Sequence, residues 1–340
     1  MARMKVTSHD VARKAGVSRT TVSYVLNNVE TGISPATAER VRQAALELGY
    51  VPNAAGRALA GQKTKNIGFF CLQEHLTHPH VLKILSGLNE VTRRHRLRLL
   101  LDTYVESPGG GSLLALSRER SVDGLILFET KESDRELSVL LEENFPVVVM
   151  GRYPGALVSS VDVDLVEAGY KATRHLIDLG HSDIGFISNA PVIYTASSGR
   201  MEGFRNAMND AGLEIRSEWL LTGSYSSQSG YDAGLKLLEC SALPTALFVA
   251  ADTVAYGVIK ALSEGGVQCP RGISVMGFDN DPLGPHFIPS LSTIHFDGFE
   301  SGRIAAEMLV NLIEGRSRAG ECRLLETVLM QRESTRPLVS

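Results

Sequence analysis

Nowhere in the 340 residues does an apolar run approach the ~18 needed to span a membrane. Met1–Lys14 lacks the apolar core of a secretory leader. The four cysteines, Cys71, Cys240, Cys269 and Cys322, stand far apart, with no CxxC pair and no histidines at zinc-finger spacing. That scatter argues against a disulfide framework and reads as reduced, mostly buried thiols of a cytoplasmic protein. Catalytic signatures are missing too. No glycine loop ends in Lys-Ser/Thr, no GxGxxG stands between a strand and a helix, and there is no GxSxG elbow. Gly109-Gly110-Gly111 therefore reads as a flexible loop, no cofactor is implied, and the chain is not expected to be an enzyme.

What is present is ordinary for a globular chain: 44% hydrophobic and 21% charged residues. The length is too great for one modest core and implies two or three domains. The net charge of −4 conceals an asymmetry. Residues 1–65 hold ten Lys/Arg against four Asp/Glu, about +6, while the rest hold 24 against 34, about −10. A basic head on an acidic body implies that the head meets a polyanion and the body does not.

Three short helices are predicted in that head. Thr7 and Asp10 have capping-box spacing ahead of Val11, Ala12 and Ala15. Gly16 permits a sharp turn, and Ser18 caps a second helix running to about Asn27, with Val22, Val25 and Leu26 inward. Ser34-Pro35 opens a third helix whose inner face is Val41, Ala44, Ala45 and Leu48, closed by Gly49. The second helix turns Arg19, Thr20, Thr21, Ser23 and Tyr24 outward. That is a helix-turn-helix arrangement, in which such a face enters the major groove of DNA. Pro52 to Gly61, with a cap at Asn53, then carries a short helical pattern that, taken alone, is a linker.

From Asn66 on, strand-length apolar runs alternate with helix-length amphipathic stretches, which predicts parallel sheets. Eight strands are expected: Ile67–Leu72, Leu97–Asp102, Gly124–Phe128, Val147–Met150, Ile184–Ser188, Leu220–Thr222, Ala246–Ala250 and Ser274–Phe278. Divided at about Val158, they make two doubly wound subdomains with a ligand cleft where strand C-termini face each other. His75, His78 and His80 follow the first strand and so fall at the cleft mouth, as ligand hydrogen-bonders or as ordinary loop histidines; their spacing fits no common metal site.

The motifs "VTSHDVARKAGVSRTTVSYVLNN", "ISPATAERVRQAALELGYVPN" and "AAGRALAGQKTKNIGFF" resemble the head and hinge of the lac repressor family of bacterial transcriptional regulators. The similarity continues through "ATRHLIDLGHSDIGFIS", "RMEGFRNAM", "SVMGFDNDPLGPHFIPSLSTI" and "RESTRP", covering essentially the whole chain. It implies a head over 1–51, a hinge helix and linker over 52–65, and a two-lobed effector-binding and dimerisation body of periplasmic-binding-protein type over 66–340. The N-lobe is expected at about 66–158 and 294–323, and the C-lobe at about 159–293 and 324–336. The implied protein is a cytoplasmic, homodimeric repressor of a near-palindromic double-stranded operator, controlled by a sugar or other small polar metabolite. The competing reading is a solute-binding protein with the same body and no DNA role.

By that resemblance Arg19 and Thr20 set operator choice, Thr21 and Ser23 lie near phosphates, and Thr7, Ser18, Tyr24, Asn27, Asn53 and Arg57 also contact DNA. The hinge orders only on the operator, paired with its dimer mate, and Leu59 wedges into the minor groove. Tyr24 is a departure, since relatives usually carry Arg there, able to bond guanine bidentately. In the body Arg200 and Asp279 are the implied effector anchors, an arginine fork and a carboxylate able to grip neighbouring hydroxyls; the alternative is a structural ion pair. His78, His80, Tyr225, Asp252 and Phe296 complete the expected site. Ala251 and Gly151 replace polar residues common in sugar-binding relatives, and His78-Pro79-His80-Val81 stands where the family usually has Asn-Pro-Phe-Phe.

Overall fold

A computed structural model describes residues 6–26, 32–50, 63–104, 113–128, 130–131, 134–153 and 157–338. Its contacts divide the chain into Met1–Thr64 and Lys65–Ser340. In the first unit, α1 (Ser8–Ala15), α2 (Arg19–Leu26) and α3 (Pro35–Leu48) enclose a core of Val11, Ala12, Ala15, Val22, Val25, Val41, Ala44 and Ala45. The ends are fixed locally. Asp10 accepts from the Thr7 amide at 3.0 Å and hydroxyl at 2.7 Å, Ser34 Oγ accepts from Thr37 N, and Gly16 and Gly49 close α1 and α3 at φ +67° and +63°.

The second unit holds two six-stranded sheets. In the first, β1 (Asn66–Leu72), β2 (Arg98–Tyr104), β3 (Leu125–Phe128), β4 (Val147–Met150), β5 (Ser159–Val163) and β11 (Cys322–Leu325) run in the order β2-β1-β3-β4-β5-β11, all parallel. The second repeats the order as β7-β6-β8-β9-β10-β12, from β6 (Ile184–Ser188), β7 (Leu220–Thr222), β8 (Ala246–Val249), β9 (Ser274–Phe278), β10 (Ser292–His295) and β12 (Val328–Met330). Only the pairing of β10 with β12 is antiparallel among these named strands. Apolar side chains cover both faces of each sheet, as buried parallel strands require.

Among the described residues twelve strands thus stand where eight were expected, and the boundary near Val158 needs correction. Ser159–Val163 pairs with β4 and β11, so the first lobe extends through Val163. Its alternating burial, with Ser160 and Asp162 turned away from the core, is what disguised it as loop. Likewise β10, expected partly in the N-lobe, pairs with β9 and β12 in the second sheet. The chain crosses between lobes three times, after β5, β10 and β11.

The helices are α4 (Pro79–Arg94), α5 (Leu113–Arg118), α6 (Arg135–Glu142), α7 (Leu165–Asp178), α8 (Thr195–Asp210), α9 (Ser227–Leu238), α10 (Asp252–Glu264) and α11 (Gly298–Ile313). Three pairs cross at reciprocal glycines. A Cβ on Gly87 or Gly302 would strike the carbonyls of Phe299 or Ile84 where α4 meets α11. Gly169 and Gly203 do the same between α7 and α8, and Gly230 and Gly257 between α9 and α10. The obstacles are backbone atoms, which cannot swing aside. The final segment stitches the second lobe shut. Ser334 Oγ donates to Val275 O and accepts from Ser292 N, while Leu338 N donates to Leu179 O at 2.8 Å.

Candidate functional site

Two surfaces carry the expected residues. On α2, Val22 and Val25 are buried while Arg19, Thr20, Ser23 and Tyr24 are exposed, Tyr24 to 40%. Thr21 is half-buried because it closes the helix start: Ser18 Oγ accepts from Thr21 N at 3.0 Å, and the two hydroxyls lie 2.9 Å apart. Thr7 is spent on the cap with Asp10, whose carboxyl those two hydrogen bonds hold below its usual range. Asn27, Asn53, Arg57 and Leu59 lie outside the described residues, as does the Gly109–Gly111 run.

In the body, the C-terminal ends of β1, β3, β4, β6, β8 and β9 converge on a cavity of about 70 Å³. His78, His80, Arg200, Tyr225, Asp279 and Phe296 all line it. Arg200 projects from α8 where that helix crosses α7, with its own backbone lying against Gly169. Its guanidinium lies 3.9 Å over the Phe278 ring, donates from Nη1 to Ala250 O at 2.7 Å, and stands 3.8 Å from Asp279 Oδ1. Arg200 Nε is buried and makes no hydrogen bond among the described residues. Asp279 closes β9 at φ +106° and faces His78 Nε2 at 3.7 Å. A non-glycine residue held at that backbone angle is strained and is kept there by its surroundings.

His75, His78 and His80 all line this cavity, with His75 and His80 buried. His75 is buried edge-on between Phe128 and Tyr225. His80 is buried on the first turn of α4 against Phe296, 4.3 Å between ring centroids, where Gly298 leaves room for it. Burial holds His80 well below the usual imidazole pKa, and both its ring nitrogens lack a hydrogen bond among the described residues. Among the described residues no three His, Cys, Asp or Glu side chains gather as a metal set.

Asp252 corrects an expectation. Its carboxylate points away from the cavity, accepting from Asp281 N at 2.7 Å and Thr293 Oγ1 at 2.8 Å. Gly277 makes that possible, since a Cβ there would fall on Asp252 Oδ1. Those two hydrogen bonds brace the loop bearing Asp279, and burial with the neighbouring Asp279 pushes the Asp252 carboxyl well up. The lobes touch directly around the cavity. Lys83 Nζ on α4 donates to Asn280 O at 2.9 Å, and Thr195 N on α8 donates to Thr130 O at 3.2 Å.

Asp162 was missed. It lies on β5 against the cavity, accepting from Val163 N at 2.8 Å, and burial pushes its carboxyl up to about 7 despite the nearby Arg200. The alternation Ser-Ser-Val-Asp-Val ahead of the helix cap Asp164 was the available signal. An acid whose pKa rises from 3.8 to about 7 on folding loses stability as pH climbs between those values, and the loss persists above them. Asp162→Asn is therefore expected to raise the melting temperature at pH 8 and to match the parent near pH 4. Contact with cleft water limits the gain to about 2 kcal/mol, or ~4–8 °C. A constant offset at all pH values would show that Asp162 is not the titrating group.

Residues 7–53 match the family described as bacterial regulatory proteins, lacI family, and residues 173–335 match the periplasmic binding protein-like domain. The HTH-type transcriptional repressor PurR of Proteus mirabilis is 32% identical over 332 residues, 96% of each chain. Its Haemophilus influenzae namesake is 35% identical over 309 residues, 90% of this chain and 91% of that one. Of solved structures, the lac repressor dimer bound to operator and the anti-inducer ONPF aligns with a TM-score of 0.82 at 26% identity, covering 97% of this chain and 99% of that one. A complex of the transcriptional regulator CelR with cellobiose aligns at 0.72 and 30% identity, with the same coverage.

Proposed function

Because the chain belongs to the lacI family of bacterial regulatory proteins, a family of DNA-binding transcriptional regulators, we propose that it is a cytoplasmic repressor that binds a near-palindromic operator as a homodimer. A small polar effector in the interlobe cavity shifts it between operator-binding and non-binding states. The observation that carries the reading is α2: its apolar face is buried, and Arg19, Thr20, Ser23 and Tyr24 are left facing outward on a basic unit. Arg200 Nε and the His80 nitrogens support the effector half, since buried polar atoms without protein partners are what a polar ligand satisfies. The head tells against a free-standing solute-binding protein, which has no use for it.

Selection from random duplex DNA tests this directly. Paired, inverted half-sites are expected, with affinity falling steeply as salt rises because phosphate contacts release counterions. Recovery of single asymmetric sites alone would rule out the dimer.

Tyr24 gives a sharper test. A phenol offers one polar atom and an apolar ring, whereas arginine bonds guanine through two donors. Tyr24→Arg is expected to change the preferred base at one symmetric pair of operator positions, by about 1–3 kcal/mol of discrimination. Identical selection profiles for variant and parent would reduce Tyr24 to a surface residue.

A further inference from the structure

The charge of about −10 on residues 66–340 is unevenly spread. In the first sheet β2, β1 and β3 are parallel neighbours, so their starting ends share one edge, opposite the ends that meet the cavity. Arg93, Arg96, Arg98, Arg118, Arg120 and Lys65 occupy the helix ends and turns that lead into this edge. All six are exposed, and none makes an ion pair among the described residues. Arg94 beside them is neutralised by Glu90 and Glu307. The acids in the same turns are Glu119 and Asp123, and Asp123 accepts from Lys65 N at 2.8 Å.

The fold does not demand this charge. The second sheet repeats the strand order, yet residues 179–183, 211–219 and 239–245, which lead into β6, β7 and β8, carry the opposite sign. They hold Asp183, Glu214, Glu218 and Glu239 against one arginine, Arg216, which pairs with Asp183 at 3.6 Å.

Backbone geometry is an independent sign. Arg96 and Arg120 each stand two residues past a helix end, at φ +56° and +51°. Gly212 holds the same place after α8, at φ +67°. The hydrogen bonds match as well: Arg96 N to Arg93 O and Leu97 N to Thr92 O, against Gly212 N to Asn209 O and Leu213 N to Met208 O. Glycine enters that conformation freely, whereas a side chain resists it. A helix dipole favours cations in the last turn, which accounts for Arg93 and Arg118 but not for the four residues beyond helix ends. Two arginines are thus kept where glycine would fit more easily.

The chain reaches Lys65 from the first unit through residues 51–64, so a duplex held by α2 is tethered to this edge by at most about 50 Å of chain. We propose that the basic edge of β2, β1 and β3 is a second contact surface for duplex DNA, gripping phosphates without reading bases. The proposal rests on the reading of α2 as the DNA-contacting helix and adds the body to it. Phosphate contacts carry no sequence information, so the edge should strengthen binding to every sequence alike.

Fluorescence anisotropy of the full chain on a random-sequence duplex of about 40 base pairs, between about 50 and 200 mM salt, tests this. Arg96→Gly combined with Arg120→Gly should weaken binding about tenfold near 100 mM salt and flatten the slope of log affinity against log salt by about two. The melting temperature should not fall, because glycine relieves both turns. Arg93→Gln combined with Arg98→Gln should cause a similar loss while leaving the turns untouched. Unchanged affinity and slope in both double variants would overturn the proposal, as would a loss seen only where the melting temperature drops. Losses confined to phosphatidylserine vesicles, with none on the duplex, would assign the edge to a membrane surface and overturn it equally. A parent chain that ignores duplex DNA altogether sinks the reading of α2 as well.

Discussion

Arg200→Ala is expected to abolish the response to effector while leaving effector-free operator affinity within about threefold of the parent. Truncating one member of a buried, hydrogen-bonded charge pair costs about 2–5 kcal/mol of ligand affinity, roughly 30-fold to several thousand-fold. Arg200 sits at the upper end of that range because three functions converge on it. It screens Asp279 across 3.8 Å, it covers Phe278, and its Nε waits for a partner. Alanine leaves Asp279 with one fewer counter-charge in a small cavity, so the loss exceeds that of a single hydrogen bond. Arg200→Lys keeps the charge without the planar fork and should recover little. Operator binding followed by fluorescence anisotropy, with and without effector, decides the matter. Undiminished effector affinity in both variants would place the site elsewhere.

Gly203→Val should lower the stability of the body by about 3 kcal/mol and its melting temperature by ~6–12 °C. The added Cβ meets Val166 O, Tyr170 N at 2.6 Å and Gly169 C at 2.9 Å. All three are backbone atoms of α7, so the two helices must separate. Separation withdraws α8 from α7, and with it the backbone of Arg200, which lies so close to Gly169 that a Cβ there would fall 2.5 Å from Arg200 O. Gly203→Val should therefore weaken effector binding beyond what its melting temperature explains. Gly257→Val supplies the comparison, because it wedges α9 from α10 with equal violence and carries no cavity residue on its crossing. Gly32→Ala, with nothing within 4 Å, should change neither property. Similar effector losses from both valine variants would mean that general loosening, not the placement of Arg200, is responsible.

The head was legible because each helix declares itself twice, by apolar spacing and by a cap: Thr7, Ser18 and Ser34 at the starts, Gly16 and Gly49 at two of the ends. Buried parallel strands such as Ile67–Leu72 and Ala246–Val249 were legible as unbroken apolar runs. The four missed strands lack that signature. Cys322–Leu325 is an edge strand with three exposed residues, and Ser159–Val163 alternates. Strand length and polarity alone cannot separate such segments from loops. At the site, the resemblance brought Arg200 and Asp279 to attention, but not which way a neighbouring side chain turns. Asp252 follows a strand end just as Asp279 does, yet the missing Cβ of Gly277 lets its carboxylate fold inward. Asp162 was overlooked for the converse reason: a carboxylate in a strand reads as solvent-facing until the second lobe is laid against it.

The three crossings between lobes bear on the order in which a growing chain gains its abilities. The first sheet lacks its edge until Cys322–Leu325 has been made, and the second lacks β12 and the Ser334 stitch until residues 328–334 have followed. The helices of the first unit, by contrast, are complete by Leu48. At translation rates of about 5–20 residues per second, the DNA-reading surface precedes a finished effector cavity by roughly tens of seconds. A nascent repressor would thus acquire its face for the chromosome well before it could register the signal meant to release or recruit it.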